Sequence, residues 1–229
     1  MSGAYRLLLS ILWIMALVGC SSFSVQKEDA PHDDGLFSGE SVRGRVLFME
    51  CTGGYEYPAH VQMNQAWLFL PEGPVRLEPQ KAESGSRFSN DDYTFWLKEE
   101  SGTLEAKEES PRHCQNNRAR AVWAEAKLRG ADYRAVGNEP GWYLELSLGG
   151  NLVYVGDYGT TRLLFKTPDP DVDQSRRTST YKMNDGEHAM SVRIEGKECR
   201  DSMSGEVFDT TVTIYLDGKT LQGCGRALH

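Results

Sequence analysis

The sequence predicts an all-β protein: a small antiparallel β-barrel followed by a second β-rich domain, with a short connecting helix. Three observations carry this. Short runs rich in apolar and aromatic residues recur from Arg43 to Leu216. Gly53-Gly54, Pro71-Glu72-Gly73-Pro74, Gly149-Gly150-Asn151 and Asp217-Gly218 punctuate them with turn chemistry. Only Asn117 to Arg129 departs from the pattern, being Ala- and Arg-rich, with Asn at an N-cap position and Gly130 at its end.

Taken in order, the first element is a leader. Arg6 precedes an apolar run from Leu7 to Val18, interrupted only by Ser10 and too short to span a bilayer. Leu17-Val18-Gly19-Cys20 resembles the bacterial lipobox. That resemblance implies lipidation of Cys20, cleavage before it, and, with Ser21 rather than Asp next, sorting to the outer membrane on its periplasmic face. Residues 1–19 are thus assigned to a lipoprotein signal peptide. Residues 20–40, polar with Gly, Pro and Asp and no apolar periodicity, are assigned to a lipidated flexible tether. Each methylene buried in lipid adds about 0.8 kcal/mol, so more than one acyl chain makes a stable anchor.

Residues 41–116 are assigned to the barrel. Strands are expected at Arg43–Cys51, Tyr57–Met63, Ala66–Leu70, Val75–Glu78, Tyr93–Lys98 and Gly102–Lys107, with a hairpin turn at Glu99-Glu100-Ser101. The connecting helix takes 117–130, with Val122, Trp123 and Ala126 on one face. Residues 131–229 form the second domain, with strands expected at Asp132–Val136, Gly141–Leu148, Asn151–Val155, Thr161–Lys166, Ser179–Met183, Met190–Glu195 and Thr210–Leu216. Thr167 to Arg177 is polar, with Pro and Asp, and reads as an exposed loop.

Charge and cysteine content narrow the function. The chain has 25 Lys+Arg against 33 Asp+Glu, a net charge of −8. A surface this acidic repels phosphates, which argues against nucleic acid and suits a basic protein partner. With Cys20 lipidated, Cys51, Cys114, Cys199 and Cys224 remain, an even count that reads as disulfides in an exported chain. Three connectivities exist. The long gap between Cys114 and Cys199 favours Cys51–Cys114 and Cys199–Cys224, each contributing roughly 3–4 kcal/mol by loop entropy. No CxxC, HExxH or other ligand spacing occurs among the cysteines and His32, His60, His113, His188 and His229, so neither a metal nor a cofactor is expected.

Between Cys51 and Cys114, Ser84-Gly85-Ser86-Arg87-Phe88-Ser89 is followed by Tyr93-Thr94-Phe95-Trp96-Leu97-Lys98. The flanking cysteines, the Ser-Gly-x-Arg-aromatic loop and the aromatic strand with Lys fourteen residues after the loop Ser resemble the membrane-bound inhibitors of C-type lysozyme. The resemblance covers about Arg43 to Cys114. It implies an antiparallel barrel whose loop enters the lysozyme cleft, with Ser84, Gly85, Arg87, Phe88 and Lys98 as the lysozyme-binding residues: Ser84 and Lys98 at the contact, Gly85 allowing the tight loop and Arg87 supporting it. The partner would be a C-type lysozyme, a strongly basic enzyme that cleaves glycan with two carboxyl groups. An ammonium between them would make charge-assisted hydrogen bonds and lower the pKa of the acid. This chain departs from the family in having Phe88 for Tyr and Glu99 for Gly, and Glu99 and Glu100 are placed to pair with Lys98.

In the second half, Arg134 to Trp142, Cys199 to Gly205 and Leu221-Gln222-Gly223-Cys224 resemble a domain of uncharacterised bacterial envelope lipoproteins, which implies no activity. Asn138-Glu139-Pro140-Gly141 reads as a turn and Trp142 as a buried strand residue. Glu139 with Asp201 is a candidate cation or sugar site, and Ser202 or Ser204 a candidate nucleophile. Gly-x-Ser-x-Gly is absent and no His lies near in sequence, so the chain is read as a non-enzyme. The alternative function is a non-inhibitory envelope lipoprotein that binds glycan or another envelope protein through its C-terminal domain.

Overall fold

A computed structural model describes residues 44–229. The leader, the Cys20 lipidation site and the tether lie outside the described residues. Eight strands close into a barrel: β1 (Arg45–Cys51), β2 (Glu56–Val61), β3 (Ala66–Leu70), β4 (Gly73–Gln80), β5 (Ser86–Ser89), β6 (Tyr93–Lys98), β7 (Ser101–Ala106) and β8 (Arg112–Asn116). Each pairs antiparallel with the next, and β8 returns to β1 in the register Met49↔Asn116, Glu50↔Gln115, Cys51↔Cys114. Closure leaves no unpaired strand edge. Period-two alternation fills the interior: Leu47 and Met49, Tyr57 and Ala59, Leu68, Leu77, Phe95 and Leu104 are all at most 2% exposed. The disulfide Cys51–Cys114 staples the closing seam.

The connecting helix, α1 (Arg118–Leu128), starts at Asn117, whose side-chain oxygen accepts from the Arg120 N–H at 3.1 Å. It grips the barrel through Arg120, which donates to Glu50 and Glu56 at 3.0 and 2.7 Å and lies 3.8 Å from the Phe48 ring. It grips the second half through Arg129 at its C-terminal end, which reaches Glu145 at 2.6 Å, and Trp123, whose ring lies 5.3 Å from that of Phe208. The buried face is Ala121, Ala124 and Ala126, with Trp123 half-buried. Val122, expected on that face, instead points outward at 42% exposure. Trp123 and Ala126 lie on the packed face as expected, and the small Ala121 and Ala124 complete it, so only the bulk of Val122 misplaces the stripe.

The second half is a nine-stranded antiparallel half-barrel: β9 (Tyr133–Asn138), β10 (Gly141–Leu146), β11 (Asn151–Gly156), β12 (Thr161–Lys166), β13 (Asp171–Asp173), β14 (Thr178–Asn184), β15 (Ala189–Glu195), β18 (Thr210–Leu216) and β19 (Lys219–Ala227). The order is β12-β11-β10-β9-β19-β18-β15-β14-β13. A small hairpin, β16 (Cys199–Arg200) with β17 (Val207–Phe208), is tied to β19 by Cys199–Cys224. The Thr167 to Arg177 loop is not wholly irregular, because its Asp171–Asp173 pairs with Thr178–Thr180 as an edge strand. The concave face is built around large rings. A Cβ on Gly137 or Gly223 would fall 2.2 or 2.6 Å from the Trp142 indole, so glycine at both positions makes the cradle for that side chain.

Candidate functional site

The β5–β6 hairpin positions the motif residues. Its turn is set by Asn90, whose side-chain oxygen accepts from the N–H groups of Asp92 and Tyr93 at 3.0 and 2.8 Å. The register pairs Ser86↔Leu97, Arg87↔Trp96 and Phe88↔Phe95. Alternation then sends Phe88, Phe95 and Leu97 into the barrel, while Arg87, Trp96 and Lys98 face outward.

Ser84 and Gly85 continue along the end of β6. Gly85 has φ +71°, and a Cβ there would lie 2.4 Å from the Leu97 carbonyl oxygen and 2.9 Å from the Lys98 Cγ. Only a residue without a side chain lets the loop rest on this strand. The Trp96 Nε1 donates to the Ser84 carbonyl oxygen at 2.9 Å, and the Lys98 Nζ sits 4.0 Å from the Trp96 ring centroid. One indole therefore contacts both the loop and the lysine, and Ser84, Arg87, Trp96 and Lys98 gather on one outer face.

Beside Lys98 runs an open groove of about 620 Å³, lined by Trp96, Lys98, Ser101, Thr103, His113, Gln115, Glu50 and the Cys51–Cys114 bridge. Its walls expose more carbon than polar surface, and the polar groups among them include Ser101, which donates to Gln115 at 2.9 Å. The barrel as a whole is acidic, with twelve Asp and Glu against seven Lys and Arg over residues 45–116, a net charge of −5. The outward Lys98 and Arg87 are thus a cationic spot on an anionic body.

Two expectations are corrected here. Phe88 is 3% exposed and packs in the barrel core, so it supports the loop from inside and offers no outer contact. Glu100 does not pair with Lys98. Its carboxylate takes hydrogen bonds from Arg45, from Arg118 at 2.7 Å and from Asn116 at 2.6 Å. Among the described residues, Lys98 forms no ion pair with a carboxylate.

The second-half candidates come together differently from the expectation. Asn138, not Glu139, meets Asp201, donating from Nδ2 at 2.6 Å, while Glu139 is exposed in the turn that holds the cis Glu139-Pro140 bond. The other Asp201 oxygen accepts from the N–H groups of Met203 and Ser204 and from the Ser204 hydroxyl. Burial disfavours the Asp201 charge, but the bonds from Ser204, Asn138 and Met203 outweigh it and hold the carboxyl below its usual range. Both oxygens are engaged in fixing the corner beside Cys199. Ser204 gives its hydroxyl proton to Asp201, and His188 pairs with Asp217 at 2.7 Å on a different hairpin, so no Ser–His pair forms here. Among the described residues no group of three or more His, Cys, Asp or Glu could hold a metal ion.

Sequence reasoning missed Trp96 and the Glu100 clamp. The first had a signal, a tryptophan at an outward position of an alternating strand. The second depends on Arg45 and Arg118, 55 and 18 residues from Glu100, which only the fold brings together. No curated protein matches the chain, and no solved structure matches it. Residues 50–113, which run from β1 to β8 and include the Ser84 loop, Trp96 and Lys98, match the family of membrane-bound lysozyme-inhibitors of c-type lysozyme.

Proposed function

We propose that this protein is an outer-membrane lipoprotein, anchored through Cys20, that inhibits a C-type lysozyme by placing the Ser84-Gly85-x-Arg87 loop and Lys98 in the enzyme's cleft. The observation that carries the reading is the shared outer face of Ser84 and Lys98, joined by Trp96, inside the stretch matched by the inhibitor family. The Lys98 ammonium would lie between the two cleft carboxyls and make charge-assisted hydrogen bonds to them. At about 4 Å and an effective dielectric near 20, each such pair is worth about 4 kcal/mol before desolvation. The Ser84 hydroxyl would donate to a carboxyl, and the loop itself would exclude the sugar chain. The net −5 of the barrel attracts a basic enzyme to the barrel as a whole and should make association fast at low salt. Within this reading residues 41–116 form the inhibitory barrel, and 117–130 and 131–229 a helix and second domain that hold it.

The test is inhibition of a C-type lysozyme by the lipid-free unit from Gly35 to His229 and by its Ser84→Ala/Lys98→Ala variant. The parent should inhibit and the variant should be at least a hundredfold weaker, from about 3 kcal/mol of lost contacts. Equal inhibition by the two would reject the assigned residues.

A further inference from the structure

Lys98 is followed by two glutamates at a two-residue turn, Glu99-Glu100, before β7 resumes at Ser101 opposite Lys98. A carboxylate two residues from a cation at a hairpin end is well placed to neutralise it. Here Glu100 is turned away and bound three times over. Arg45 and Arg118 both donate to Oε1 and Asn116 donates to Oε2. Arg45 also donates to the Glu99 carbonyl oxygen at 2.6 Å, and the Asn116 backbone N–H donates to the Glu100 carbonyl oxygen at 2.8 Å. The turn is thus held on both its backbone and its side chain. Arg45 and Arg118 lie outside the matched residues 50–113, and Arg118 opens the helix that joins the barrel to the second sheet.

We propose that Arg45, Asn116 and Arg118 act as positioning residues that sequester Glu100, leaving the Lys98 ammonium unneutralised and available to an anionic partner surface. This rests on the inhibitory reading above for its consequence, but not for its chemistry. It gives the first turn of the helix a part in the site: the helix withdraws a competing internal carboxylate. The same contacts keep Glu100 charged. Hydrogen bonds from Arg118 and then Asn116, with the nearby Arg45 charge, hold its pKa down at about 2 in the clamp. A released glutamate has its ordinary carboxylate pKa and is still charged at neutral pH, so it would compete for Lys98.

The experiment uses the full chain in detergent, with wild type, Arg45→Ala/Arg118→Ala, the same pair with Glu100→Gln added, and Arg76→Ala/Arg162→Ala as a control of equal net charge. One readout does not involve lysozyme: the rate at which the Lys98 amine is acylated by an N-hydroxysuccinimide ester, read by peptide mass spectrometry. The other is affinity for hen lysozyme at fixed salt. The double variant should acylate Lys98 several-fold more slowly and bind about tenfold more weakly. Adding Glu100→Gln should restore both, and the control should change neither reactivity nor, beyond a factor of two or so, affinity. Unchanged Lys98 reactivity in the double variant, or no restoration by Glu100→Gln in a protein with the wild-type circular dichroism, overturns the proposal. Wild-type protein that shows the reactivity pattern but binds no lysozyme overturns the inhibitory reading and leaves the sequestration standing.

Discussion

Gly85→Ala isolates the loop geometry from its chemistry, because it adds one methyl group and removes no polar atom. The added Cβ would stand 2.4 Å from the Leu97 carbonyl oxygen, at φ +71°. A non-glycine residue in this left-handed region costs about 1–2 kcal/mol. Relieving the contact means moving the loop off β6 by about 1 Å, to an ordinary van der Waals separation. That stretches the 2.9 Å Trp96–Ser84 hydrogen bond past its useful range, a loss of about 1 kcal/mol. The free protein can relax by lifting the loop, which sits at a strand end, but the complex needs the loop in place. Binding should therefore weaken by about 2–3 kcal/mol, roughly thirty- to 150-fold. Stability measured by urea unfolding should fall by only about 1–2 kcal/mol. Titration of lysozyme activity with wild type and variant, beside urea curves, checks both numbers. Equal affinity in the two would refute the claim that the loop must lie on β6 to bind.

Other outcomes follow from the same coordinates. Trp96→Phe keeps a ring under Lys98 but loses the N–H to Ser84, so inhibition should weaken about fivefold by the worth of one hydrogen bond, and Trp96→Ala should weaken it further. Phe88→Ala should cost about 3–5 kcal/mol of barrel stability by opening a core cavity, read in urea, rather than acting as the loss of an outer contact. Cys51→Ser/Cys114→Ser removes a bridge across a sequence separation of 63 and should cost about 4 kcal/mol by loop entropy, against about 3.5 kcal/mol for Cys199→Ser/Cys224→Ser across 25. The Asp217 hydrogen bond raises the His188 pKa above its ordinary 6.5. Because the folded value is the higher one, the pair's stabilisation is complete below about pH 6.5 and is lost as pH rises through the raised value. An NMR titration of the His188 ring should show the shift, and Asp217→Asn should remove most of it, the nearby Glu187 and Asp185 charges keeping a remainder.

How much of this was legible beforehand depended on where side-chain bulk sits. Ala66–Leu70 and Tyr93–Lys98 read as strands because alternate positions carry large apolar groups that fill the barrel. β5 and β8 each send essentially one apolar side chain inward, Phe88 and Cys114, and their polar outer residues hide the period. β19 is harder still, since Gly223 and Gly225 occupy positions where neighbouring strands carry side chains. The rings of Trp142 and Tyr133 fill that space from across the sheet, so the apolar pattern of β19 is supplied by other strands. In the site, Ser84, Gly85 and Lys98 were visible as an ordered motif. Their contact through Trp96 required the β5–β6 register, and the fate of Glu100 required two arginines from distant segments. The sequence placed Glu100 next to Lys98, while the fold supplied it with stronger partners.

The most direct test of the central claim is zero-length carbodiimide coupling of this protein to a C-type lysozyme, with the bridged peptides identified by mass spectrometry. The reagent joins an amine to a carboxyl only where the two touch. Coupling of Lys98 to a catalytic-cleft carboxyl, lost in Lys98→Arg, is the result this account predicts. A lysozyme complex whose bridges all map to residues 131–229, with Lys98 unmodified, would contradict it.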